Sequence, residues 1–135
     1  MVEIVKIVGQ SSQLSEYPIV TSQILCMHSR LPYEVNRAIV DLAAQFPNYV
    51  CGIDLAGGDN HYRERLEEFI RLYDYARSLG LKTTGHLYET REGDYPELLP
   101  YLMRIGHGIQ IPLRHPELLP QLARDRQCLE VCPTT

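Results

Sequence analysis

The chain has 135 residues, enough for one core and well short of the ~250 usual for a closed eight-stranded β/α barrel. Hydrophobic residues make up 44% and charged residues 22%, an ordinary globular balance. The formal net charge of −4, with no basic block, argues against nucleic acid or an anionic membrane as a partner. No apolar run approaches ~18 residues, so no transmembrane helix is expected. The opening "MVEIVKIVGQ" carries acid and lacks a cleavage pattern, which argues against a signal peptide. The expectation is one cytoplasmic domain spanning residues 1–135.

In chain order, "IVTSQILCMH" (19–28) is a β-type run with a polar end. Val35, Ala38, Ile39, Leu42, Ala43 and Phe46 then recur at helical spacing, opened near Pro32 and stopped by "FPN". "YVCGIDLAGG" (49–58) is a continuous apolar run, as in a parallel strand buried on both faces. A second helix covers roughly 61–79, with Leu66, Phe69, Ile70, Tyr73, Ala76 and Leu79 inward and Gly80 as its C′ residue. "LKTTGHLYE" (81–89) is strand-like, "YPELLPYLM" (95–103) a short helix, "IGHGIQI" (105–111) a strand, "HPELLPQLAR" (115–124) a helix and "CLEVCP" (128–133) a strand. Pro100 and Pro120 suit a first helical turn better than an interior. "PELLPYLMR" and "PELLPQLAR" echo each other 20 residues apart, too few copies for a solenoid.

The sum is α/β: parallel β/α units, five strands alternating with four helices. Two closures remain open, a doubly wound sheet or an arc of a β/α barrel. Both put binding chemistry at the carboxyl ends of the strands. Cys26, Cys51, Cys128 and Cys132 all sit in apolar, strand-like contexts, so buried reduced thiols are expected. Cys128 and Cys132 would lie ~13 Å apart in a strand, too far to share a metal.

Those carboxyl ends carry His28, the stretch Asp54 to Asp59, the pair His86 and Glu89, and His107. A neutral imidazole is a good zinc ligand, and a nearby carboxyl can handle protons in metal-assisted hydrolysis. In a strand, residues three apart face opposite ways, so Glu89 belongs on the turn after the strand. Gly106 and Gly108 flank His107; they either relax the strand end or let the imidazole approach a ligand. Gly57 and Gly58 read as a strand-to-helix turn, with Asp59 or Asn60 as the N-cap.

"GIDLAGGD" (52–59), "TTGHLYE" (83–89), "RIGHG" (104–108) and "LEVCPTT" (129–135) occur in an order and spacing that resemble the adenosine deaminase family. The resemblance covers roughly residues 20 to 135. It implies a zinc-dependent hydrolase on a (β/α)8 TIM-type barrel, acting on adenosine or another adenine-containing molecule. It implies His86 as zinc ligand, Glu89 as the acid that protonates purine N1, and His107 as the group that orients the attacking hydroxide. It implies Gly57 as a backbone donor to purine N3 and Asp54 as a further substrate-binding residue.

The resemblance also implies parts that these residues lack. The family's H-x-H pair is absent, and so is the strand that carries its aspartate pair. The expected architecture is therefore a partial barrel lacking its first two strands and its last. His86 is one of several expected Zn2+ ligands, and activity would need a complementing chain or homo-oligomer. The alternative is an inactive truncated fragment acting as an oligomeric or purine-binding module. "HLYE" replaces the family's "HAGE", and the larger Leu87 and Tyr88 are expected to change the room beside the metal.

Overall fold

The computed structural model describes residues 2–11, 14, 16, 20–58 and 61–132. Five strands form one sheet: β1 Gln23–His28, β2 Val50–Ala56, β3 Lys82–Leu87, β4 Arg104–His107 and β5 Cys128–Glu130. They lie in chain order and every neighbouring pair is parallel. Right-handed crossovers that always step the same way keep their connections on one side of the sheet. Sequential order therefore selects the barrel arc. A doubly wound sheet reverses its strand order at a switch point, and this one does not.

The two-residue period of the strands separates the faces. Met27, Ile53, Leu55, Leu87 and Ile105 are buried against the helices. On the other face Ile24, Cys26, Lys82, Arg104 and Cys128 are exposed, while Asp54, His86 and Glu130 are half-buried. A closed β/α barrel turns this side inward, because its helices form the outer ring. Two expectations fail here for one reason. β2 is less enclosed than expected: Ile53 and Leu55 are buried on the helix side, while across the strand Gly52 is buried and Asp54 and Ala56 are only half-buried. All four cysteines are exposed rather than in the core. Cys26 and Cys128 lie on the uncovered face, and Cys51 lies beside the register shift between β1 and β2.

Two helices carry most of the covering layer. α2 (Tyr33–Gln45) buries Ile39, Val40, Leu42 and Ala43, but Val35 stays exposed and Asn36 takes an inward position. α3 (Leu66–Ser78), entered through a 3-10 turn at Arg63–Arg65, buries Phe69, Leu72, Tyr73 and Ala76. It ends as expected at Gly80, whose φ of +79° lets Gly80 N–H reach Arg77 O and Leu81 N–H reach Ala76 O. The Tyr73 hydroxyl donates to the Thr84 carbonyl at 2.8 Å. A side chain on Gly85 would put its Cβ 2.5 Å from that hydroxyl, so the glycine of "TTGH" makes room for the bond.

The remaining connections depart from expectation. α1 (Val2–Ser11) is a helix to which the sequence reading assigned no element. It docks through buried Val5 and through Gly9, where any Cβ would lie 2.3 Å from the Tyr49 ring. The segment expected as a helix over 95–103 is a 3-10 turn, Pro96–Tyr101, with Pro100 inside it. An α-helix there would set the Pro100 ring against the Pro96 carbonyl. The strand expected over 105–111 stops at His107, because His107 and Gly108 both take left-handed φ (68° and 67°). Next come α4 (Ile111–Arg114), a 3-10 turn at Pro116–Leu118 and α5 (Leu119–Arg124). Each "PELL" copy thus opens a 3-10 turn at its proline, but only the second continues into an α-helix. The strand expected over 128–133 is observed as β5, 128–130; residues 133–135 and the N-cap candidates Asp59 and Asn60 lie outside the described residues.

Candidate active site

The register of the sheet brings the candidate residues together. His86 and Asp54 share the uncovered face on adjacent strands, and the His86 Nδ1 lies 3.2 Å from the Asp54 carboxylate. That hydrogen bond raises the His86 pKa above its ordinary value, against the opposing effect of burial. It also orients the ring: with Nδ1–H donating to Asp54, Nε2 carries the free lone pair of the neutral tautomer. Asp54, expected to touch substrate, is thus placed against His86.

His107 pairs with Leu87, whose side chain faces the helices, so a regular strand would turn His107 the same way. Its left-handed backbone redirects the ring. The imidazole lies edge-on to His86, ring centroids 5.2 Å apart, with Nε2 3.5 Å from a Glu89 oxygen. Glu89 follows the strand, as its spacing predicted. The His107 side chain is buried, and its Nδ1 has no hydrogen-bond partner. A buried polar atom left unpaired is costly and is often found where function requires it. Gly106 lies directly across from His86, and a Cβ there would stand 3.4 Å from the His86 Cα.

Gly57 follows β2 at the same end of the sheet. Its φ is +104°, and a Cβ would come within 2.4 Å of Ser29 Oγ and 2.9 Å of the His28 ring. Only glycine fits there without displacing both. Two supporting residues were missed from sequence. Asn36, fully buried, accepts from His28 N–H at 2.9 Å and donates to the carbonyls of His28 and Leu31. Arg65 donates to the carbonyls of Ser29 and Leu31 and pairs with Glu68 at 2.7 Å. Together they hold the exit of β1. An amide beside an apolar stripe and an arginine at a helix entry carry no sequence signal for such a role.

The expectation for Leu87 and Tyr88 is corrected. Both are 1% exposed, Leu87 packing on the helix side. The Tyr88 ring packs in a T-shaped contact with His115, centroids 5.6 Å apart. A cleft of about 180 Å³ on the uncovered face, lined by Ile24, Cys51, Lys82, Met103 and Arg104, lies at the strand amino ends, away from this cluster.

The donor set does not hold a metal by itself. Among the described residues no three His, Cys, Asp or Glu are grouped to bind one. Cys26 lies 3.8 Å from Asp54, and desolvation and then the Asp54 charge push its thiol up to about 11.

The adenosine deaminase family model matches residues 1–135. The chain is 33% identical over 122 residues to an adenine deaminase of Cupriavidus necator, covering 88% of this chain and 34% of that protein. It is 32% identical over 124 residues to an adenosine deaminase of Clostridium acetobutylicum, covering 88% of this chain and 36% of the relative. An adenosine deaminase-like protein of Drosophila melanogaster is 32% identical over 126 residues, with the same coverage. The chain therefore spans about a third of the length of these relatives. The fold is similar to that in the crystal structure of Arabidopsis ADAL complexed with IMP, with a TM-score of 0.63 at 20% identity, covering 95% of this chain and 49% of that one. The matched motifs, the sequential parallel sheet and the full-length family match lead to one conclusion: the chain belongs to the adenosine deaminase family.

Proposed function

We propose that residues 1–135 form the central part of a hydrolytic deaminase that releases ammonia from an adenine ring. One observation carries the reading: Asp54, His86, His107 and Glu89 come from different strands and turns and converge at one sheet end, with contacts of 3.2 to 3.5 Å. Relatives named for adenine and for adenosine share the ring and not the sugar. The substrate class is accordingly a purine nucleoside or another adenine compound.

In this reading Glu89 donates a proton to ring N1, which makes C6 more electrophilic. His107 holds the attacking hydroxide by hydrogen bonding and steadies its charge. The C6–N bond breaks, ammonia leaves, and a 6-oxopurine remains. Gly57, left without a side chain, lets the backbone approach N3. Asp54 keeps His86 in the tautomer that leaves Nε2 available. Zinc, when bound, would supply a water acidified towards pKa ~7. Among the described residues only His86 would ligate it, and the other ligands would come from segments beyond these or from a complementing chain. Cys26, Cys51 and Cys128 are free thiols, which suits a reducing compartment such as the cytoplasm.

The test is ammonia release from adenosine and from adenine, with metal content, on the native assembly that contains this segment. Turnover is expected with one metal per assembly, and Glu89→Gln is expected to abolish turnover with the metal retained. Full turnover by Glu89→Gln would sink the assignment. The absence of a three-ligand group among the described residues favours a second reading, an inactive purine-binding fragment. Metal-independent purine binding by calorimetry, without ammonia release, would select it.

A further inference from the structure

Glu89 sits one residue beyond a backbone conformation that its neighbour disfavours. Tyr88 has φ 56°, in the left-handed region where a side chain is strained and glycine is not. Such a residue persists only when its surroundings over-determine it. Here they do so from three sides. Tyr88 N–H donates to Gly93 O, which closes the loop that carries Glu89, and Tyr88 O accepts from Gln110 N–H beyond β4. The Tyr88 ring is 1% exposed and lies edge-on to His115. His115 is itself fixed between two carboxylates. Its Nε2 lies 2.8 Å from Asp94, an electrostatic contact and not an aligned hydrogen bond, and its Nδ1 lies 3.2 Å from Glu117. Asp94 ends the same loop, and its carbonyl accepts from Arg63 at 3.1 Å. Residues 88–94 are thereby tied at both ends to the segment after β4 and to the entry of α3.

We infer that Tyr88 is a positioning residue: its ring, clamped against His115, holds a left-handed turn that aims Glu89 back over the strand end toward His107. This rests on the proposed role of Glu89 as proton donor. The hydroxyl sits beside the Asp94 carboxylate, and burial and then that charge raise its pKa, but it makes no aligned hydrogen bond, so the packed ring carries the effect. Glycine at 88 would adopt the turn without strain but would leave the loop without an anchor. The bulky residue at this position therefore acts on the acid and not on the volume of the substrate pocket.

The test needs no turnover at first. Backbone 15N relaxation on the full chain should show Glu89 rigid, with an order parameter of about 0.85. Tyr88→Phe should leave it there. Tyr88→Ala and Tyr88→Gly should drop it below about 0.6 over residues 89–93, with the amides of β2 and β3 unchanged. His115→Ala should loosen the same residues, and it carries the test if the Tyr88 variants fail to fold. In the deaminating assembly Tyr88→Ala should lower kcat by about 10-fold to 100-fold with KM within about twofold, and Tyr88→Phe should restore it. A Glu89 amide as rigid in the Ala, Gly and His115→Ala variants as in the parent overturns the proposal. So does a loosened Glu89 with kcat unchanged. Full turnover by Glu89→Gln would instead overturn the deaminase reading while leaving the measured clamp intact.

Discussion

Met27, Ile53, Leu55 and Ile105 on the helix-covered face of the sheet are fully buried, while one residue along, Ile24, Cys26, Lys82 and Arg104 stand open to solvent. Both sets come from the same strands in the same register, since side chains alternate across a sheet. The covered face supplies cohesion through apolar contact. The uncovered face carries the candidate site: near the strand carboxyl ends Asp54 bonds His86 and the left-handed His107 joins them, while Arg104 and Thr84 pair with Glu130 elsewhere on the same face. The contrast teaches that stability and function are separable here by a single residue step, and substitutions on each side should separate accordingly.

The largest effect belongs to the covered layer. Phe69, fully buried and packed on the Tyr62 ring at 5.5 Å, should lose ~3–5 kcal/mol as Phe69→Ala in urea unfolding. Ile24→Ala on the open face should cost under ~1 kcal/mol. Equal losses would abolish the distinction between the faces. Asn36→Ala comes next, because it leaves His28 backbone groups unpaired inside the protein; ~2 kcal/mol is expected, read from the same midpoint shift. Gly57→Ala should cost ~1–3 kcal/mol through its positive φ and its contacts with Ser29 and His28.

Smaller still is the pH effect at His86. Its folded pKa is raised, first by the Asp54 hydrogen bond, so its stabilising contribution is full below the ordinary value of 6.5 and fades as pH climbs through the raised one. Asp54→Asn should bring the His86 titration, followed by NMR on the metal-free chain, back towards 6.5. An unmoved titration would mean that the pair is not bonded in solution. The smallest effect is on the stability of Glu89→Gln, expected within ~0.5 kcal/mol because the side chain is 42% exposed. A larger loss would make Glu89 a structural residue and weaken its reading as an acid.

Much of this was legible in the sequence. The helix-period stripes foretold α2 and α3, Gly80 marked a helix end, and the polar strand ends marked where His86, Glu89 and His107 gather. The misses share a cause. The cysteines and β2 were placed inside because an apolar residue on the inward side of a barrel arc looks like a core residue until the layer facing it is known. The strand over 105–111 was drawn too long because alternation does not report that His107 turns left-handed. Tyr88 looked like a pocket residue because it stands between His86 and Glu89 in the chain, whereas its neighbours in space are His115 and the loop end at Asp94.

By itself the sequence determined the α/β alternation, the family and the identity of the chemical groups, because propensity, periodicity and motif spacing are local and additive along the chain. Tertiary structure alone decided the rest: the sequential strand order, the face that each side chain occupies, the pairing of Asp54 with His86, and the aim of Glu89. Each of these depends on contacts between residues 20 or more positions apart, or on a backbone sign at one residue that only its packed surroundings can hold.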